Sequence, residues 1–245
     1  MDYYINNIFN NHFTIKKNYS KSHTLYNSKN VTKPHIKHKI DKDGYWTHIN
    51  YNTFKCALEL LIKNNNKSFF TIVETGCSAK CGVKSTKLWD DFVNHFDGEV
   101  FSVDLDKQCV DEANKLTSDK TKIVCDNSLN FLSSFNKPID LLYLDSYNVD
   151  WSNPEPSAEH HLKEFNIVKY NLHKNSIVII DDTPKDINWM DLDKNHKKFK
   201  PLIEKKILFP IGKGTLVNKI LNEHGDSEIL HQYQIVWKIN SLFCF

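Results

Sequence analysis

The stretch FFTIVETGCSAKCGVKST, residues 69–86, decides the fold. Its apolar run stops at an acid, Glu74, and the chain then turns through Gly76 and Gly82 before a helical pattern opens at Ser85. An apolar strand closing on a carboxylate and a glycine-bearing turn is how a doubly wound α/β sheet presents a nucleotide-like ligand at its first crossover. The expectation is a cofactor-binding enzyme.

Working outward, the same alternation of strand and helix continues. Upstream, Phe54, Ala57, Leu58, Leu61 and Ile62 recur at helical spacing and predict a helix over 51–62. Downstream, the pattern predicts helices over 85–95, 107–116, 128–134 and 157–172, and strands over 99–104, 122–125 and 139–145. The run SIVIIDD (176–182) adds another buried strand closing on carboxylates. Such alternation gives an α/β fold with a mostly parallel sheet and helices on both faces. Past Asp182 the chain turns charged and irregular; KILFPI (206–211) and ILHQYQIVWKI (229–239) are expected to pair antiparallel at one edge, with a helix over 215–222 between them. Residues 1–50 read as an extension or substrate-side cap, loosely structured over 1–45, and residues 51–245 as the domain proper.

With 245 residues, 40% of them hydrophobic, the chain can bury one large core. A net charge of +2 gives no strongly basic surface, and every Lys+Arg residue is a lysine. Bidentate guanidinium contacts to guanine or phosphate are thereby excluded, which argues against sequence-specific DNA reading. Six scattered cysteines and an N-terminus without a basic start and apolar core point to a reduced, cytoplasmic protein. No apolar run approaches the roughly 20 residues that span a bilayer. Association into a homo-oligomer is left open.

The strand ends carry the chemistry. They read ETG (74–76), VDLD (103–106), VCDNS (124–128) and YLDS (143–146). In order and spacing, over roughly residues 69–182, they resemble the class I S-adenosylmethionine-dependent methyltransferases. Within that superfamily the chain looks most like small-molecule O-methyltransferases with the pattern E-x-G-x-x-x-G-x-S-T. The resemblance implies a Rossmann-like sheet of seven strands with the last antiparallel, and S-adenosylmethionine as cofactor. Carried over, Glu74 and the turn Gly76-Cys77-Ser78 to Gly82 match the first motif, where glycine lets backbone approach the methionine moiety. Asp104 matches the ribose-binding acid, with Leu105 beside it and Asp106 as the near alternative. Asp126, Asn127 and Ser128 match the element at the adenine edge, and Asp145 the end of the next strand. Here five residues separate Gly76 from Gly82, about two more than the family's pattern.

A dinucleotide enzyme would use the same sheet, but GCSAKCG lacks the G-x-G-x-x-G spacing that a pyrophosphate needs. Cys77 and Cys81 do not make a metal site, because position 84 is a lysine and no further ligands stand nearby. Asp145, Asp181 and Asp182 are a different matter: three carboxylates with no lysine or arginine adjacent in sequence suit a hard cation such as Mg²⁺. The resemblance supports this, since catechol-type and macrolide-sugar-type O-methyltransferases hold Mg²⁺ through acids at those strand ends. The alternative is that Asp145 meets cofactor or substrate directly while the pair caps the next segment.

A hydroxyl nucleophile must lose its proton, and His160 and His161, with Glu159, are the candidate bases. Tyr147 and Trp151 are candidate walls for a small hydroxyl acceptor of sugar type. An RNA methyltransferase using lysines near 194–206 and 213–219, and a non-catalytic binding module, are the competing expectations.

Overall fold

The computed structural model describes residues 5, 8–9, 14–16, 39–40, 45–47, 49–64, 67–77, 85–190 and 208–244. Thr14–Lys16 (β1), Lys39–Ile40 (β2) and Tyr45–Thr47 (β3) form a small antiparallel sheet in the order β1-β3-β2. Where the sequence shows no periodicity, the extension thus contains regular strands, too short for a pattern to register. Ile5 and Phe9 are buried in the main core, Phe9 edge-on to Tyr51. The helix expected over 51–62 runs Tyr51–Asn64 (α1).

Phe70–Thr75 (β4) is buried at every position, as a strand with parallel neighbours on both sides and helices on both faces must be. Ser85–Phe96 (α2), Gly98–Asp104 (β5), Lys107–Asn114 (α3), Thr121–Cys125 (β6), Ser128–Ser134 (α4) and Ile139–Leu144 (β7) follow the expected alternation. Glu155–Val168 (α5) ends four residues before the reading placed it, and Leu172–Ile180 (β8) starts correspondingly early. Thr215–His224 (α6) leads into Ser227–His231 (β9) and Ile235–Lys238 (β10). The sheet order is β6-β5-β4-β7-β8-β10-β9, with β10 antiparallel to both its neighbours and β4 through β8 parallel.

One expectation needs correcting. ILHQYQIVWKI is not a single strand but a hairpin, closed where Gln232 N–H donates to the Gln234 carbonyl at 2.9 Å, and the described part of KILFPI, residues 208–211, forms no strand.

The alternation of side chains along each strand sorts the core into two layers. Ile72, Leu141, Tyr143, Ile177 and Ile179 face α1 and α2, packing on Phe54, Leu58, Trp89 and Phe92. Val73, Leu142, Leu144, Val178 and Ile180 face α4, α5 and α6. Glu74, two residues past Ile72, therefore points inward under α2, and Thr75 points toward α5. Among the described residues no helix is long and apolar enough to cross a membrane.

Candidate functional site

The strand ends are held level by hydrogen bonds that carry the parallel ladders one residue past each strand. Gly76 N–H donates to Val103 O at 2.8 Å, Asp145 N–H to Thr75 O at 2.9 Å, Asp126 N–H to Asp104 O at 3.1 Å, and Asp181 N–H to Leu144 O at 3.1 Å. A cleft opens along this edge, lined by Gly76, Val103, Asp104, Leu105, Asp126–Ser128, Ser146, Tyr147 and His160. Gly76 sits at φ +89°, and a Cβ there would lie 2.6 Å from the Asp145 carbonyl oxygen. Its bare backbone is thus needed for two strand ends to meet, before any ligand is considered.

Asp104 and Asp106, alternatives in the sequence, separate cleanly. Asp106 is the N-cap of α3, accepting from Gln108 N–H at 2.8 Å. Asp104 accepts from Cys77 N–H at 3.0 Å through one oxygen and from Asp106 N–H at 2.8 Å through the other, leaving each oxygen a further lone pair at the cleft. Asn127 caps α4 through Leu129 N–H, so of the Asp126–Ser128 element it is Asp126 that presents a carboxylate to the cleft. Leu105 is 73% exposed and Tyr147 46%, the latter against the His160 ring at 5.2 Å. Cys77 packs against Val110 and Ala113, where burial, with the Asp104 carboxylate beside its thiol, pushes its pKa far up. Ser78, Cys81, Gly82 and the lysines of 194–206 lie outside the described residues.

Glu74 does not reach the cleft, which corrects its expected place at the cofactor. Its carboxylate is fully buried and accepts four hydrogen bonds: Ser85 Oγ (2.6 Å) and Trp89 Nε1 (3.0 Å) on one oxygen, Thr86 Oγ1 (2.6 Å) and Ser102 Oγ (2.7 Å) on the other. Burial raises its pKa against the pull of those donors. It fastens the first turn of α2 to β4 and β5, so it shapes the glycine turn from beneath.

The two histidines divide as well. His160 lines the cleft at the Ser128 end, its Nε2 3.1 Å from Ser128 Oγ and 3.3 Å from Glu164 Oε1. His161 is fully buried and cannot act as base on a substrate, which corrects that expectation. Its Nδ1 donates to the Ser157 carbonyl at 2.6 Å; a carbonyl only accepts, so the proton is on Nδ1 and Nε2 is bare. Glu164, missed by the sequence reading, is a second buried acceptor: Ser146 Oγ donates at 2.6 Å and Thr75 Oγ1 at 3.3 Å. Burial alone would raise its pKa, but His160, His161 and the Ser128 and Ser146 hydroxyls hold it below the ordinary value.

Burial pushes His161 down to about 4, from an ordinary 6.5. Below pH 6.5 the unfolded chain takes up a proton there that the native state refuses, so this residue's contribution to stability is full above 6.5 and declines as pH falls toward 4. The loss amounts to about 3 kcal/mol at roughly 1.4 kcal/mol per pH unit. Urea titrations of wild type and His161→Gln at several pH values should show the stability gap between them shrinking by that amount from pH 7 to 4. Parallel profiles would refute the buried neutral imidazole.

Next to Gly76 and Ser146, Asp145, Asp181 and Asp182 bring carboxylate oxygens within 4.8 Å of one another. The cation among them is the protein's own. Lys213, 1% exposed, bonds Asp145 Oδ1 and stands 3.0 Å from Asp182 Oδ2. The sequence reading saw no basic residue adjacent to the trio; the fold supplies one from 68 residues beyond Asp145. The same burial removes Lys213 from the lysines expected to track phosphates, while Lys219 is exposed. The Tyr143 hydroxyl lies 3.0 Å from Asp181 Oδ2 and 3.2 Å from Asp145 Oδ2, and is itself met by Gln234 Nε2 at 3.2 Å. Tyr233 hydroxyl bonds Asp182, and Asn50 Nδ2 lies 3.5 Å from Asp181. Burial, reinforced by Asp182 and opposed by Lys213, pushes Asp145 up to about 6. Asp181 is pushed well above the ordinary carboxylate value by burial and by both neighbouring acids. For Lys213 burial works against the charge, but the three carboxylates outweigh it and hold its pKa above the ordinary value.

This sheet order, with its antiparallel β10, recurs among solved structures. The MycE methyltransferase from the mycinamycin biosynthetic pathway, in complex with Mg and SAH, superposes with a TM-score of 0.53 at 12% identity over 79% of this chain and 50% of that one. Its complex with Mg, SAH and mycinamycin VI gives 0.51 at 11%, over 79% and 49%. The chain thus spans about half the length of MycE. The fold is the Rossmann-like fold of methyltransferases. NodS, an N-methyltransferase from Bradyrhizobium japonicum WM9, matches at 0.48 and 12% identity over 79% of this chain and 97% of that one. No protein-family model matches the chain, and no curated protein does.

The cleft suits the cofactor that methyltransferases use. Asp104 keeps lone pairs that could accept from two hydroxyls, Leu105 and Tyr147 are exposed apolar surface against which a flat ring could lie, and Asp126 places a carboxylate along the same cleft. The acidic trio does not suit Mg²⁺ as it stands, because the Lys213 ammonium already sits between two of its three carboxylates. Trp151 is buried with Ile49, Met190, Ile211 and Tyr233, a patch bordering the trio through Gly212 and Tyr233. The sequence signal for this role of Lys213 is its setting, a lysine between two glycines at the end of an apolar run.

Proposed function

We propose that the protein is an S-adenosylmethionine-dependent O-methyltransferase acting on a hydroxyl of a small, sugar-type molecule. The observation that carries this reading is the alignment of Gly76, Asp104 and Asp126 at adjacent strand ends around one cleft, with Asp145 at the strand end beside it. The acceptor class leans on resemblance, and on the MycE complex with mycinamycin VI. Bound in the cleft, the cofactor would supply an electrophilic methyl on its sulfonium. Asp104 would hold the ribose hydroxyls, Asp126 and Ser128 the base, and the Gly76 turn the methionine moiety. Asp145 adjoins Gly76 and so stands at the end where a methyl would leave. There its carboxylate, bonded to Lys213, can accept a hydrogen bond from an acceptor hydroxyl and fix it for in-line attack, the step that supplies most of the acceleration. Trp151 and Tyr233 border that side.

Calorimetric titration with S-adenosylhomocysteine is expected to show one site, weakened about 30-fold or more by Asp104→Ala through the loss of two charge-assisted hydrogen bonds. No heat of binding in the wild type would end the enzyme reading. A steep salt dependence of RNA binding would instead favour the nucleic-acid reading.

A further inference from the structure

We propose that Lys213 is the resident cation of the Asp145–Asp181–Asp182 cluster, filling the place a divalent ion would take, so that this site works without a metal. The inference rests on the methyl-transfer reading for its meaning, but its physical basis is independent of it.

Three observations support it. The ammonium is 1% exposed, bonds Asp145 Oδ1, and lies 3.0 Å from Asp182 Oδ2 and 3.3 Å from the Asp145 carbonyl oxygen, so it satisfies two of the three acids at once. A charge that deep is tolerated only when paired. Secondly, the backbone on either side of Lys213 is clamped to the same acids' strand end. Lys213 N–H donates to Asp182 O at 3.2 Å and Gly214 N–H to Thr183 Oγ1 at 2.8 Å. Gly212, at φ +98°, lies so close that a Cβ would come 1.9 Å from Asp182 O. Thr183 is itself fixed, through its hydroxyl to Asp181 O at 2.7 Å and its N–H to Tyr233 O at 2.9 Å. The turn that carries the ammonium is thus fastened to the strand end that carries two of the acids. Thirdly, a dication beside an ammonium held in place would meet strong repulsion at a few ångströms in a poorly solvated pocket. Asp181, the one acid that Lys213 does not bond, accepts from Tyr143 and Asn50, so each of the three carboxylates already has a partner from the protein.

Lys213 is thus a positioning residue: it fixes Asp145 and Asp182, and being buried it does not touch the acceptor. The probe is Mn²⁺, followed by electron paramagnetic resonance on the full chain. Wild type is expected to hold no Mn²⁺ at millimolar concentration, and its S-adenosylhomocysteine affinity is expected to stay within about twofold when EDTA is added. Lys213→Met should create one Mn²⁺ site, at least about tenfold tighter than any in wild type, which a second change, Asp182→Asn, removes. A wild-type Mn²⁺ site abolished by Asp182→Asn would overturn the proposal, and so would a folded Lys213→Met that gains no Mn²⁺. Should that variant not fold, the wild-type titration decides by itself. Loss of S-adenosylhomocysteine binding altogether would strike the methyl-transfer reading and leave the manganese result standing.

Discussion

Replacing Glu74 by alanine should lower the free energy of unfolding by about 3–5 kcal/mol, because four buried donors lose one shared acceptor. The hydroxyls of Ser85, Thr86 and Ser102 can rotate toward other acceptors, whereas the Trp89 indole N–H is fixed by its packing against Phe54 and Tyr143. Glu74→Gln keeps one acceptor for Trp89 and Ser85, and turns an amide toward hydroxyls able to accept in their turn. It should cost only about 1–2 kcal/mol. Urea unfolding of the three proteins gives the order wild type, Gln, Ala. An alanine variant within 1 kcal/mol of wild type would mean that the network is not the fastening described.

Asp145→Asn should lower kcat for methyl transfer by about 100-fold or more, since the residue beside the transfer end then offers a neutral oxygen and leaves Lys213 with one charged partner. S-adenosylhomocysteine affinity should move far less, since Asp145 adjoins the cleft and does not line it. Steady-state rates with an accepted hydroxyl compound, set beside calorimetric affinities, separate the two effects. A variant within about threefold of wild type in kcat would remove Asp145 from the chemistry. Stability should also fall, by about 3 kcal/mol, through the half-paired buried ammonium.

Much of the fold was legible because parallel strands buried on both faces read as unbroken apolar runs, and β4, β7 and β8 are of that kind. The acids at their ends were legible because they follow those runs directly. The β9–β10 hairpin was not: its alternation passes through Gln232, Tyr233 and Gln234 with no glycine or asparagine to announce a turn. Nor could sequence distinguish an acid that faces the cleft from one that faces the core. Glu74 and Asp104 both follow apolar strands, yet the first is buried beneath α2 and the second opens onto the cleft. The pairing of Lys213 with the acidic trio was not legible because its partners are distant in the chain, Asp145 by 68 residues.

Glu74 and Glu164 are buried acceptors on opposite layers of the sheet, each shared among hydroxyls that belong to several elements. An apolar exchange at either position strands its donors, while exchange of one serine or threonine frees a carboxylate lone pair in a dry interior. Neither step is cheap alone, though all of them together would be tolerable. In lineages descended from this protein, such positions are expected to change as blocks, Glu74 with Ser85, Thr86 and Ser102, and Glu164 with Thr75 and Ser146.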